Sequence, residues 1–549
     1  MNLRRKRLRL MRDTKWRGYA RTAEGNPITL SQVRSMVNLS VLGNSTQDGT
    51  PSPDNPVEVV GSGVRTGNLF DISKIEDTAL ISKHGNDITI TNYTASTNFT
   101  PELLLEMTGL SQGDTITTSR KVKIIDGTGN NITGRISFIR KDKASTFVII
   151  DGTDSFRTTV IPDDFDSDNY DTAVFYGVNT GDTRTVIFSE VQILKGEYTS
   201  ETLTPYEPYG YKVVAQASGR NLFDINSIIS NNNITNNGNE IVINAKRVYS
   251  NLKPSEFMEM TGLKPGDKFT SRCKTNVTAG TDSSACRIIF INNSSGAAVY
   301  IFYGYSVKTI SIPADFSDNK YSTLVFDGVE NGDSTFANLM VVKGAYTAET
   351  LPPYEPYKEP QEFNIYTPTP LYGIGDSHDM AILDFDKHRA TLISNIVRYV
   401  IGDNWDLGTN GKNIVTQRFY QSCEGTLINN ARIISNTFEE IYPSSIEIIN
   451  ADEEGANVSN TRYLQIKINK SRLNTVDVTG FKKWISNYES INGELQFYGE
   501  AYNPTTTDIT ALQDWDTMPQ LTGTWILTAN GGTEPTLTAE YYSNERSTE

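Results

Sequence analysis

The sequence predicts a mainly β fold class: two tandem jelly-roll-like β-sandwich domains followed by a mainly β domain with one or two short helices. Three observations carry this expectation. A stretch of about 140–150 residues occurs twice. Short runs of β-branched and aromatic residues alternate with Gly, Asn and Asp turn clusters. No long segment keeps a helical apolar period.

The repeat is read from landmarks in fixed order. Asn68-Leu69-Phe70-Asp71-Ile72 recurs as Asn221-Leu222-Phe223-Asp224-Ile225, a shift of 153. Met107-Thr108-Gly109-Leu110 recurs as Met260-Thr261-Gly262-Leu263 with the same shift. Ile161-Pro162 matches Ile312-Pro313 at 151, and Pro205-Tyr206-Glu207-Pro208-Tyr209 matches Pro353-Tyr354-Glu355-Pro356-Tyr357 at 148. A period this long means tandem domains, since solenoid repeats run about 20–50 residues. The expected units are a basic N-terminal arm (1–22), an N-terminal β segment or linker (23–66), two sandwich repeats (67–215 and 216–360) and a C-terminal mainly β domain (361–549).

Within the repeats, Ile88–Thr91, Thr185–Phe188, Glu240–Asn244, Arg287–Ile291 and Thr323–Phe326 read as short strands. Asp126–Asn130 reads as a turn cluster. Leu103–Met107 and Phe257–Met260 read as one helical turn each, with Gly109 and Gly262 at positive φ behind them. Phe70 and Phe223 read as core anchors. In the third region, Ala381–Phe385 and Ala390–Ile393 read as a hairpin, as do Thr524–Thr528 and Thr536–Tyr541 around Asn530-Gly531-Gly532. Phe481–Ile485 reads as a short amphipathic helix.

Charge is uneven. Residues 1–22 hold nine Lys or Arg against Asp13, a net +8, so the rest carries −23 of the total −15. Such an acidic body repels polyanions, and nucleic-acid binding is not expected. The basic arm reads either as a solvated tail or as an assembly anchor. Arg4, Arg5 and Arg7 supply charge, and Trp16 and Tyr19 supply aromatic anchors. No apolar run approaches membrane-spanning length, so membrane insertion is not expected.

Chemistry is sparse. Cys273, Cys286 and Cys423 form no CxxC pair, and only the first two could bridge within one domain. The three histidines read as surface residues. No phosphate loop, dinucleotide fingerprint, HExxH or GxSxG motif occurs, and no catalytic residue is assigned. Asp163, Asp164, Asp166 and Asp168 are hard oxygen ligands that could take calcium, the only cofactor considered, although the EF-hand spacing is absent. The aromatic run Val299–Tyr305 is the candidate carbohydrate-binding element. Strict alternation puts Tyr300 and Phe302 on one face and Tyr303 and Tyr305 on the other, and Tyr354 and Tyr357 join them as possible sugar platforms. Core packing is the competing reading of the same residues.

The run from Leu42-Gly43-Asn44-Ser45-Thr46-Gln47 to Pro53-Asp54-Asn55-Pro56-Val57-Glu58-Val59 resembles a segment of tail and baseplate proteins of phages and prophages of Gram-positive bacteria. Asn68–Asp71 and Leu371-Tyr372-Gly373-Ile374-Gly375-Asp376 fit the same pattern. The resemblance covers residues 40–75, recurs at 220–225 and returns at about 350–400. It implies a non-enzymatic virion protein with carbohydrate-binding-module-like sandwiches, contacting other tail proteins and host cell-wall saccharide, extracellular when acting. It also implies a homo-oligomer, commonly a trimer. A purely structural virion spacer and a glycan-cleaving tail enzyme are the alternatives.

Overall fold

The computed structural model describes residues 17–21, 28–30, 33–125, 132–152, 154–178, 184–278, 286–304, 306–330, 332–408, 415–441, 453–519, 521, 525–530 and 533–543. The chain is mainly β throughout. Asp126–Asn130, expected as a turn, lies outside the described residues.

The two repeats fold into sandwiches of identical strand order. In the first, the five-stranded sheet runs Phe156–Val160, Thr115–Ile124, Thr185–Lys195, Asp87–Thr91, Ile81–His84. The four-stranded sheet facing it runs Thr146–Ile150, Ile132–Arg140, Tyr170–Val178, Thr94–Ser96. The second sandwich repeats both orders with Lys308–Ser311, Lys268–Val277, Ser334–Lys343, Glu240–Ile243, Ile234–Asn236 and with Ala298–Tyr303, Arg287–Ile291, Val325–Asp327, Arg247–Tyr249. All pairings are antiparallel, and each sandwich closes over its own aromatic-rich core.

The repeated asparagine explains much of the repeated motif. The Asn68 amide donates to the carbonyls of Val191 (3.1 Å) and Glu207 (3.0 Å) and accepts from the N–H groups of Phe70 (2.9 Å) and Ile193 (3.1 Å). Asn221 does the same with Leu339, Glu355, Phe223 and Val341. A primary amide offers two donors and two acceptor sites, so these buried side chains are fully used. Each one fastens the entry of its sandwich to the last strand and to the Pro-Tyr-Glu-Pro-Tyr exit. Phe70 and Phe223 then point into the cores. The expected helical turns are two-turn helices, Pro101–Thr108 and Pro254–Thr261, closed by Gly109 at φ 64° and Gly262 at φ 65°.

The third core joins segments far apart in sequence. A seven-stranded sheet runs Arg17–Arg21, Thr536–Ser543, Val33–Leu42, Met380–Asp384, Arg389–Tyr399, Phe497–Asp508, Ile433–Ser435. It packs on a second sheet of Ile28–Leu30, Trp525–Asn530, Tyr211–Ser218 and Gln361–Thr367, with Val64–Arg65 beside Tyr211–Ser218. Both repeats are therefore inserted into this body, one before Tyr211–Ser218 and one after it. Three expectations change. The N-terminal β segment or linker, 23–66, is largely part of the third core, because Ile28–Leu30 and Val33–Leu42 pair inside it while Ser45–Gln47 and Val59–Gly61 pair with each other. The end of the first repeat unit, 211–215, belongs there too. The second hairpin does not form: Trp525–Asn530 pairs with Tyr211–Ser218, whereas Thr536–Ser543 pairs with Val33–Leu42 in the opposite sheet. The Gly43 of the resembling motif sits at this junction, where a Cβ would lie 2.4 Å from the Leu371 carbonyl carbon.

A further lobe grows from strands Arg389–Tyr399 and Phe497–Asp508. Its four-stranded sheet carries Thr416–Ser422 and Tyr463–Asn469 at the centre. The expected short helix is longer, Val478–Asn492, capped by the Asp477 carboxylate accepting from Gly480 N–H at 2.8 Å. Phe481 stacks flat on Phe419 at 4.0 Å and seals this lobe. No described helix is long and apolar enough to cross a membrane.

Candidate functional site

The aromatic run on the outer edge of the second sandwich does not alternate simply. Ile288 pairs with Phe302 and Ile289 with Tyr300, which leaves Ile301 as an extra residue in a β-bulge. A bulge re-aims the side chains that follow it. Val299, Ile301 and Phe302 therefore all point inward, and Phe302 is only 1% exposed. This corrects the expected shared face of Tyr300 and Phe302: Phe302 is a core residue stacked edge-on against Phe223. Tyr300 and Tyr303 emerge together on the outside, their ring centroids 5.3 Å apart at 79°. Tyr305 lies outside the described residues.

Cations frame this pair. The Lys308 ammonium lies 4.6 Å from the Tyr300 ring centroid and 4.9 Å from that of Tyr303. The Arg287 guanidinium lies 5.8 Å from the Tyr300 ring. Both rings thus offer their π faces to positive charge. Asp327, on the adjacent strand, accepts from Arg247 Nε at 2.5 Å and Nη2 at 2.9 Å and from Arg287 Nε at 2.7 Å. Burial pushes the Asp327 carboxyl up, but the arginine hydrogen bonds outweigh it and hold the group below the ordinary carboxylate value. Among the described residues no carboxylate pairs with Lys308. Three cations and one carboxylate make this face locally positive on an acidic chain.

The first sandwich carries the same frame with its parts exchanged. The same bulge lies between Ile136 and Ser137. Arg135 stands where Arg287 stands, but the acid and the tyrosine have traded places: Asp151 matches Tyr303, and Tyr176 matches Asp327. Arg135 Nε and Nη2 donate to both Asp151 oxygens, at 3.0 and 3.1 Å, and this bidentate pair closes the face. The position of Tyr300 holds Val148.

The other expected residues gather elsewhere. Tyr354 packs with Met340, Val342 and Leu351 in a separate small cluster, and Tyr357 is half-buried near Asp224. Neither joins the Tyr300–Tyr303 pair, because the exit segment runs past the other sheet. The four aspartates form no metal set. Asp164 is paired with Arg140, and Asp166 folds back to accept from the N–H groups of Asp168 and Asn169 at 3.0 and 2.9 Å. Among the described residues no three His, Cys, Asp or Glu side chains are grouped to hold a metal. Arg4, Arg5, Arg7 and Trp16 lie outside the described residues, and Tyr19 is in the edge strand Arg17–Arg21.

Arg247, Arg287, Lys308 and Asp327 are absent from the site residues expected from the sequence, where Arg287 figures only as the start of a strand. One signal pointed to Arg287: Arg135-Ile136-Ser137-Phe138-Ile139 recurs as Arg287-Ile288-Ile289-Phe290-Ile291 at a shift of 152, inside the repeat frame.

No family model and no curated protein matches the chain. Among solved structures, it is similar to the N-terminal CBM22-1–CBM22-2 tandem domain of Xyn10C from Paenibacillus barcinonensis. The likeness covers 52% of this chain and all of that one, at 10% identity and a TM-score of 0.16, too slight to place any residue.

Proposed function

We propose that this protein is a non-enzymatic component of a phage tail or baseplate that contacts cell-surface saccharide through its second sandwich. The observation that carries the contact is the outward Tyr300–Tyr303 pair under Lys308, flanked by Arg287 and Arg247. Two tyrosine faces suit the C–H surfaces of a sugar ring, and the cations suit hydroxyl or acidic substituents. The positive face also answers a physical objection, since an acidic body repels the anionic polymers of a Gram-positive wall. The virion setting is supported by the resemblance of residues 40–75 and about 350–400. That setting brings other tail proteins as partners and a homo-oligomeric assembly.

The test is binding of the full chain to a panel of purified Gram-positive cell walls, with and without calcium. Saturable binding that falls in Tyr300→Ala/Tyr303→Ala is the expected result. Binding untouched by that double substitution removes the site from this face. Absence of binding across the panel favours a structural spacer. Release of soluble glycan indicates a tail enzyme.

A further inference from the structure

The two sandwiches differ at one junction between their sheets, and the difference concerns two thiols. In the first sandwich a bulge sets Glu190 and Val191 opposite Arg120. Arg120 turns inward and donates to three main-chain carbonyls: Gly134 at 2.9 Å, Asp154 at 2.7 Å and Asp151 at 2.8 Å. It thereby ties the five-stranded sheet to the edge of the four-stranded one. The second sandwich has the same bulge, with Asn338 and Leu339 opposite Cys273. The position of Gly134 is occupied by Cys286. The two cysteines therefore replace two residues that touch each other in the first sandwich.

The surroundings bring them closer. The Cys273 thiol donates to the Gly304 carbonyl at 3.1 Å, and Gly304 N–H donates to the Cys286 carbonyl at 2.8 Å. One glycine thus bridges both residues, and it directly follows Tyr303. Both cysteines are buried in the second core and are thiols in the structure, as is the distant Cys423.

We propose that Cys273 and Cys286 form a disulfide across the two sheets when the protein meets a disulfide oxidant, replacing the arginine tie of the first sandwich by a covalent one. In the step, each thiol loses its proton and the pair gives up two electrons. A low-molecular-weight disulfide such as oxidised glutathione takes them up and leaves as two thiols. Burial, and then the neighbouring Cys286, push the Cys273 thiol up to about 12, so exchange waits on local opening and is slow. The bond fixes the sheet edge that presents Tyr303.

The experiment uses the full-length wild-type chain, equilibrated in glutathione redox buffers both folded and in concentrated urea, then acid-quenched and digested without reductant. Twelve residues separate the two cysteines, so the unfolded chain sets a loop-closure reference. The expected result is a linked Cys273–Cys286 peptide pair with Cys423 still a free thiol. Against glutathione, the bond should be at least about tenfold more stable in the folded chain than in urea. The oxidised protein should also melt at a higher temperature than the reduced one. A bond no more stable in the folded chain than in urea overturns the proposal, as do separate glutathione adducts on the two cysteines in the folded protein.

Discussion

The two sandwiches share a backbone and differ on their surfaces. What they keep is what the chain path requires. Asn68 and Asn221 fasten entry to exit, and Thr117 and Thr270 each donate to the carbonyl of the glycine that ends the last strand. Where they diverge, they often exchange partners rather than lose them. Glu102 accepts from Ser167 N–H at 2.6 Å in the first sandwich, whereas Asp318 accepts from Ser255 N–H at 2.9 Å in the second, with acid and hydroxyl swapped between helix and loop. The same exchange of acid and tyrosine around Arg135 and Arg287 has a different consequence. It closes one face with an ion pair and opens the other as an aromatic pair under a lysine. Pairing rules explain the frame, and the placement of one acid explains which face is available.

The comparison is most severely tested at the asparagines. Asn68→Ala and Asn221→Ala each remove the partner of three buried and one half-buried main-chain group, and each is expected to destabilise its own sandwich by about 3 kcal/mol. Denaturant melts resolved by hydrogen exchange check this, and unequal losses would break the claim of a common frame.

Asp327→Ala comes next. It leaves Arg247 and Arg287, both partly exposed, without their carboxylate, and about 2 kcal/mol of stability in the second sandwich should be lost. Tyr176→Phe, at the matching position, is expected to change stability by less than about 0.5 kcal/mol. The same carboxylate predicts a pH effect. Its folded value lies below the ordinary carboxylate value, so its stabilisation is present above that ordinary value and is lost as pH falls through the folded value. Asp151 is lowered as well, chiefly by its hydrogen bond from Arg135, so acid should weaken both sandwiches. Asp327→Asn should flatten the acid limb of the second alone, as read by exchange rates between pH 2 and 5, a window of about one to two units around that value.

The smallest effect is at the helix ends. An added Cβ at Gly109 or Gly262 meets nothing within 4 Å, so only the left-handed φ opposes alanine. Gly109→Ala and Gly262→Ala should each cost about 1 kcal/mol, equally in both copies, by chemical denaturation.

The sequence was most legible where signals are local or repeated. The landmark shifts located both sandwiches, Gly109 and Gly262 announced their helix ends, and Ala381–Phe385 with Ala390–Ile393 announced a hairpin seen in the pairing of Met380–Asp384 with Arg389–Tyr399. The central body was not legible, because Val33–Leu42 finds partners more than three hundred residues away and no short pattern encodes that pairing. The site was legible in part. Tyr300 and Tyr303 stood out as aromatics, but strict alternation put them on opposite faces, and only the extra residue Ile301 brings them together. Lys308 and Asp327 carry no local signal in the sequence, because only the fold sets them beside those rings and Arg287.

The most direct test is equilibrium binding of the full chain to a wall saccharide that it retains, comparing wild type with Tyr300→Ala/Tyr303→Ala and with Tyr176→Ala. The account predicts that the first variant weakens binding at least about tenfold while the second stays within about twofold of wild type. Equal losses in both variants, or full binding by the Tyr300→Ala/Tyr303→Ala protein, would contradict it.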